Sequence, residues 1–461
     1  MRRELAPLVL ILLSGLVVEA RGQSVPGRRN ISLAEARPAL EAMRSSLPKE
    51  LKSAGTLTES QWSNWVQQKD REIRQRLDRG EEDTLTNLLR FGVSFTKEYR
   101  IDDEYLMKYG ESTLVNAFAE NRASDLIRAM SSAHADERIA HMRAFLEQKG
   151  FSLKTPAERR KVRTYLLDNL ARMRDEFLRY RAQAKDESRF QLFKERGISL
   201  DTNLWPDFLI DQHLHHMVEK GLLKPGSMQR IAVIGPGLDF ANKENGSDFY
   251  PPQMVQPFAV LDSLVRLGIV DATSVQLYTL DISPDVNFHV QRARKNAAAG
   301  RSYTVQLPWD SAARQTPEYR ASFVEYWKQL GGAIGAPVTA IPVPNSLAAG
   351  TRTRAVRIPP RIVRRIIPVD MNIVFQRLQV APQEAFDLVI GTNIFVYYGA
   401  FEQSLARANA AAMLRPGGYL LTNDKLADAA PSGLQDSLLT TLIVARDPDM
   451  TEFMFCYERA N

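Results

Sequence analysis

The chain has 461 residues, enough for two or three domains at roughly 150 residues each. At 44% hydrophobic and 25% charged residues it has the make-up of a globular protein, which excludes disordered, collagen-like and multi-span membrane chains. One cysteine, Cys456, excludes an internal disulfide and a four-cysteine zinc site, and a formal charge of +6 is too small an excess at this length to imply nucleic acid.

In chain order, Met1-Arg2-Arg3 precedes an apolar run from Leu5 to Val18 and the small-residue site Val18-Glu19-Ala20. This is a signal-peptide pattern over residues 1–20, shorter than the ~20 apolar residues of a spanning helix. Export to the periplasm or the medium is expected, with no transmembrane span in the mature chain; a cytoplasmic location is the alternative if the leader does not function. Residues 21–30 read as a linker and 31–200 as a helical accessory domain.

Within that domain, Thr58 and Gln61 form a capping-box pattern, and Trp62, Trp65, Val66, Ile73 and Leu77 share one helical face until a stop expected at Gly80. Thr155, Pro156 and Glu158 open a second helix whose stripe is Val162, Leu166, Leu170, Met173, Phe177 and Tyr180. His134 and His141 have no acidic or cysteine partner in register, so no metal set is expected here. Further on, His213 and His216 share a helix face near Asp211 without reaching a zinc set, and read as a polar face.

From residue 201 to 461 short apolar runs alternate with helical stretches, the grammar of a three-layer α/β domain. The expected strands are Ile231–Ile234, Val275–Leu280, Ile373–Phe375, Phe386–Ile390 and Tyr419–Thr422, each a run suited to a buried parallel strand. Leu438–Arg446 and Thr451–Arg459, around Asp447-Pro448-Asp449, read as an antiparallel hairpin. The fold class is therefore a Rossmann-like doubly wound sheet with a terminal antiparallel hairpin, preceded by an all-α region.

The first of these strands leads into Gly235-Pro236-Gly237-Leu238-Asp239, where glycines permit a sharp turn and a close ligand. The second ends in Leu280-Asp281-Ile282, with a carboxylate placed to accept from both hydroxyls of a ribose. A dinucleotide fingerprint would need a third glycine where this chain has Phe240, so the pyrophosphate seat is missing. Ribose without phosphates suits S-adenosylmethionine (SAM) better than NAD.

On these residues the stretch from about Trp205 to Asn461 resembles the class I SAM-dependent methyltransferases. Three segments are further similar to the chemotaxis-receptor (CheR-type) glutamate methyltransferases: Tyr278–Ser283; Arg354–Arg364 leading through Asn372 to Leu378; and Phe386–Tyr398 followed by Leu414–Leu420. That family also carries a long insertion between its second and third strands, as residues 284–368 would be here. The first loop departs from it, with a polar insertion at Asn242–Gln256 in place of a Gly-Glu-Glu element.

The resemblance implies SAM as cofactor, with Gly235, Gly237, Asp239, Asp281, Ile282, Arg377 and Asn393 as its contacts and no metal. It places Asn393 facing the transferred methyl with Tyr397 and Tyr398 behind it; Asn393 and Tyr397 are the catalytic candidates, and both tyrosines read equally as core or pocket wall. It implies methyl transfer to an acceptor of unknown identity, a protein carboxylate by the narrower likeness. A carboxylate needs no catalytic base. Arg352, Arg354, Arg357, Arg361, Arg364 and Arg365 read as a solvated basic face or a dock for an anionic partner such as an acidic protein; nucleic acid is not expected. The alternative function is a non-catalytic methyltransferase-fold binding or scaffold protein of the cell envelope.

Overall fold

The structure, a computed structural model, describes residues 26–52, 57–133, 135–182, 197–198, 202, 204–240, 248–310, 316–345, 347, 350–427, 432–444 and 451–460. The leader over residues 1–20, His134 and the turn at Asp447-Pro448-Asp449 lie outside them. No helix among the described residues is long and apolar enough to cross a membrane.

The segment expected as a linker contains a strand, β1 (Arg28–Asn30), followed by helices α1 (Leu33–Ala42) and α2 (Lys49–Lys52). Ser32 caps α1 in a reciprocal box with Glu35. The next helix, α3 (Glu59–Phe91), starts at the Thr58–Gln61 capping box but does not stop at Gly80. A lone interior glycine costs only about 1 kcal/mol, and Leu85, Leu88 and Leu89 beyond it are fully buried. Gly197 lies backbone to backbone on α3 here, so close that a Cβ on it would sit 2.2 Å from the Gly80 nitrogen.

Through its 33 residues, about 50 Å at 1.5 Å each, α3 serves two cores. Trp62, Trp65, Val66 and Ile73 join α1 under one face of the sheet with Ile234, Leu280 and Val389. Its second half packs with α4 (Asp103–Met107), α5 (Thr113–Met130), α6 (Glu137–Gln148) and α7 (Pro156–Ala182) into separate helical cores. Helix α7 starts at Thr155, whose hydroxyl accepts from the Glu158 N–H while Glu158 accepts from the Thr155 N–H.

The α/β part runs α8 (Trp205–Glu219), β2 (Arg230–Ile234), α9 (Gln256–Arg266), β3 (Gln276–Asp281), α10 (Pro284–Ala298), β4 (Tyr303–Asp310), α11 (Pro317–Gln329), β5 (Ala336–Val338), β6 (Thr351–Ile358), α12 (Pro360–Val363), β7 (Ile366–Asp370), β8 (Gln376–Leu378), β9 (Phe386–Gly391), α13 (Ala400–Met413), β10 (Leu414–Thr422), β11 (Leu434–Ile443) and β12 (Thr451–Arg459). Seven strands form one sheet in the order β11-β12-β10-β9-β2-β3-β7. It is parallel from β10 to β7, with β12 and β11 added antiparallel. This is a Rossmann-like doubly wound sheet ending in an antiparallel hairpin. The order reverses between β9 and β2, and ligands of such sheets bind outside the strand ends at that switch point.

The third expected strand is displaced. Residues 373–375 form a turn closed by Asn372, whose carbonyl accepts from Phe375 and Gln376; they are apolar because they are buried. The strand is β7, which contains Pro368. As the last strand of the sheet it tolerates a proline. Between β3 and β7 the insertion builds a small antiparallel sheet, β4-β6-β5, with α11 against it. Arg354 on β6 turns inward, its guanidinium donating to the carbonyls of Trp327 and Leu330 at 2.7 Å, while Arg352, Arg357, Arg361 and Arg364 are exposed. His213 and His216 both place Nδ1 against the Thr440 hydroxyl, at 2.8 and 3.0 Å.

Candidate functional site

At the switch point the chain leaves β2 through two glycines in the left-handed region, Gly235 at φ 59° and Gly237 at φ 61°. Asp281 ends β3 beside them. The residue is 6% exposed; its carboxylate accepts from the Ser283 N–H at 2.8 Å and has the backbone N–H groups of Gly237 and Ile282 directed at it. Burial outweighs these donors and pushes its pKa up to about 6. The helix cap at this strand tip is Ser283, whose hydroxyl accepts from Val286.

Gly235, Gly237, Asp281, Ile282 and Tyr397 thus line one cavity, together with Ile394 and the buried Tyr398. Its free space is about 50 Å³. Ile394 closes it from one side: a Cβ on Gly235 would fall 2.1 Å from the Ile394 Cδ1. Helix α3 closes it from above. Arg74 donates to the Ile282 carbonyl at 3.1 Å and Arg76 to the Tyr397 carbonyl at 3.0 Å, and Leu77, with Ile198, fills the space between.

Three residues expected at the site lie elsewhere. Asp239 is turned away into a buried knot, accepting from the Tyr250 hydroxyl at 2.8 Å and the Gln253 amide at 2.9 Å. Arg377 is on β8, where β1 pairs with it, and its guanidinium meets Glu35 of the N-terminal segment. Asn393 has φ 58°, a turn conformation that asparagine tolerates. Its side chain is held by Asn423, which donates to it at 2.7 Å and accepts from its backbone N–H at 2.8 Å. It does not line the cavity.

Sequence reading missed Arg74, Arg76, Leu77, Ile198 and Ile394. Ile394 follows the fourth-strand motif directly and was legible as an apolar residue at a strand tip. The α3 residues were not, because only the tertiary crossing brings them over the cleft.

The unusual first loop docks the helical region. Phe240, in place of the third glycine, is buried in the helical core. The buried Arg138 of α6 donates to the carbonyls of Phe240, Asp239 at 3.3 Å and Asp248 at 3.1 Å. Asp248 in turn accepts from the Val93 and Ser94 N–H groups.

Chemically, the cleft offers one carboxylate, a curved strip of backbone and apolar walls. Apart from Asp281 and two tyrosines, no side chain lining it ionises among the described residues. Such a site can hold a polyol edge against an apolar ring, and Asp281 is its one carboxylate among the described residues.

No protein-family model matches the chain and no curated protein matches it. Among solved structures it is similar to the N-methyltransferase NodS of Bradyrhizobium japonicum in complex with S-adenosyl-l-homocysteine, at 12% identity over 60% of this chain and 100% of that one, TM-score 0.28. It is also similar to the magnesium protoporphyrin IX methyltransferase ChlM of Synechocystis with bound SAM, at 12% identity over 62% and 97%, TM-score 0.27. A third is the carbon methyltransferase CurJ, at 11% identity over 92% and 100%, TM-score 0.27. These neighbours are SAM-dependent methyltransferases. The fold is given by the strand order β11-β12-β10-β9-β2-β3-β7.

Proposed function

We propose that the chain binds SAM in the cleft at the ends of β2 and β3 and transfers its methyl group to a carboxylate of an acidic protein. The observation that carries this reading is the convergence of Gly235, Gly237 and the Asp281 carboxylate on one cavity at the switch point of a sheet with the terminal hairpin of class I methyltransferases. An ionised Asp281 is the ribose acceptor, and the glycine backbone leaves no Cβ between the loop and the sulfonium side. SAM supplies the electrophilic methyl when bound. The chain's own residues hold the nucleoside, and α3 with Leu77 excludes water from it.

Ligand pockets hold about 300–1,000 Å³, against about 50 Å³ here. The donor groups suit a nucleoside, and its admission requires Ile394, Tyr397 and Leu77 to withdraw. With its one carboxylate among the described residues, Asp281, engaged by the ribose, the cleft suits an acceptor already ionised at neutral pH, which a carboxylate is. The exposed Arg352, Arg357, Arg361 and Arg364 are a matching surface for the acidic acceptor protein. The narrowness of the cleft is also what favours the second reading, a non-catalytic scaffold that keeps the fold without the ligand.

The test is transfer of labelled methyl from SAM to the proteins of a cell extract, with and without alkaline treatment. Alkali-labile label that disappears with Asp281→Ala is the expected result, since carboxyl methyl esters hydrolyse in base. Alkali-stable label would overturn the carboxylate acceptor. No label, and no binding of SAM, would leave the scaffold.

A further inference from the structure

A second cluster lies on the far side of the Gly237–Phe240 loop. Glu81 of α3, His141 of α6 and Asp285 of α10 bring one donor atom each within 4.8 Å of one another. His141 Nε2 and Glu81 Oε2 are 3.1 Å apart. Two ligands of one divalent ion at the usual metal–N and metal–O lengths of about 2.0–2.2 Å stand about 3.4 Å apart in a tetrahedral shell, so an ion can replace the hydrogen bond between this pair with little change in their spacing. Asp285, exposed in the first turn of α10, supplies the third donor and so the other two edges of the triangle. Glu81 is buried and the His141 ring packs at a tilt against Phe240, centroids 5.1 Å apart.

A cavity of about 260 Å³ opens on this cluster, lined by His141, Asp285, Glu137, Phe240, His289 and Arg292. Arg292 is engaged by Glu137 at 3.1 Å. Two carboxylates around one imidazole repel each other, and a dication relieves both. We infer that Glu81, His141 and Asp285 form a binding site for a divalent first-row transition ion, with coordination positions open to the cavity for water or an anionic ligand. One nitrogen and two oxygen donors suit zinc, cobalt, manganese or iron(II) over soft-ligand metals, and three protein ligands beside a cavity are the pattern of an exchangeable site. The ion joins the helical region to α10, whose N-cap Ser283 also lines the nucleoside cleft. No two of the three ligands share an element, which is why no spacing in the sequence announces the site.

Cobalt(II) is the probe, added to the full chain without a purification tag after dialysis against chelator. One equivalent should bind with a visible d–d band and be displaced by zinc, and zinc should raise the thermal midpoint. Asp285→Asn, at an exposed position, and His141→Gln should each weaken cobalt binding at least tenfold, with circular dichroism unchanged for Asp285→Asn. His215→Ala, in the other histidine cluster, should bind as the parent does. Failure of the parent to bind cobalt, or retention of binding in either variant, would overturn the site.

Discussion

The buried carboxylate of Asp281 gives the cleft a pH signature independent of any ligand. Its pKa is pushed from an ordinary value near 3.8 up to about 6 by burial. Below about pH 4 the group is neutral in both folded and unfolded chains. Between about pH 4 and 6 the unfolded chain ionises while the folded one holds its proton, so stability falls as pH rises through this window and the loss is complete above it. At about 1.4 kcal/mol per pH unit the loss is about 3 kcal/mol. His213 and His289, held down near 4 by burial, act in the opposite direction over the same range, so the total curve does not isolate Asp281. The difference between parent and Asp281→Asn does, because the histidine contributions cancel. Altered hydrogen bonding to Ser283 offsets that difference by a constant at every pH. Urea unfolding of both proteins at half-unit steps from pH 4 to 7.5 measures it. The variant should gain about 3 kcal/mol relative to the parent across the window. Parallel curves would refute the burial argument.

Other expectations follow from the closure of the cleft. Ile394→Ala should tighten binding of S-adenosylhomocysteine, because the open state is then populated more; weaker binding in calorimetry would contradict Ile394 as the plug. Gly235→Ala should cost about 2–4 kcal/mol from its left-handed backbone and the clash with Ile394, and the double variant should recover all but about 1 kcal/mol in a thermodynamic cycle. Arg138→Ala leaves the carbonyls of Asp239, Phe240 and Asp248 without their donor and should cost about 3 kcal/mol, with limited proteolysis attacking the helical region first; cleavage unchanged from the parent would count against the docking role. Residues 1–30 fused to a reporter should direct its export, and retention in the cytoplasm would place the chain where SAM is made.

The sheet was legible because its strands are apolar runs bounded by glycine and polar turns, and because Gly235, Gly237 and Asp281 carry local chemical requirements. β7 was missed because an edge strand can hold Pro368, which in a reading by runs argues against a strand, while the buried turn at Ile373–Phe375 imitates one. Gly80 misled for a related reason: a glycine ends a helix only where the chain then turns left-handed, and here the apolar face simply continues. The roof of the cleft had no local signal at all. Leu77 reads as one more residue of a helical stripe, and only the crossing of α3 over the sheet makes it a wall. Arg377 and Asn393 were assigned by analogy, and Glu35 and Asn423, remote in sequence, decide where their side chains go.

The central claim is most directly tested by titrating the purified chain with S-adenosylhomocysteine at pH 7.5, beside NADH and beside the Asp281→Ala variant. The account predicts micromolar binding of the nucleoside, none of NADH, and at least a tenfold loss, about 1.4 kcal/mol, in the variant. Heat absent for S-adenosylhomocysteine, or an affinity the substitution does not change, would contradict it.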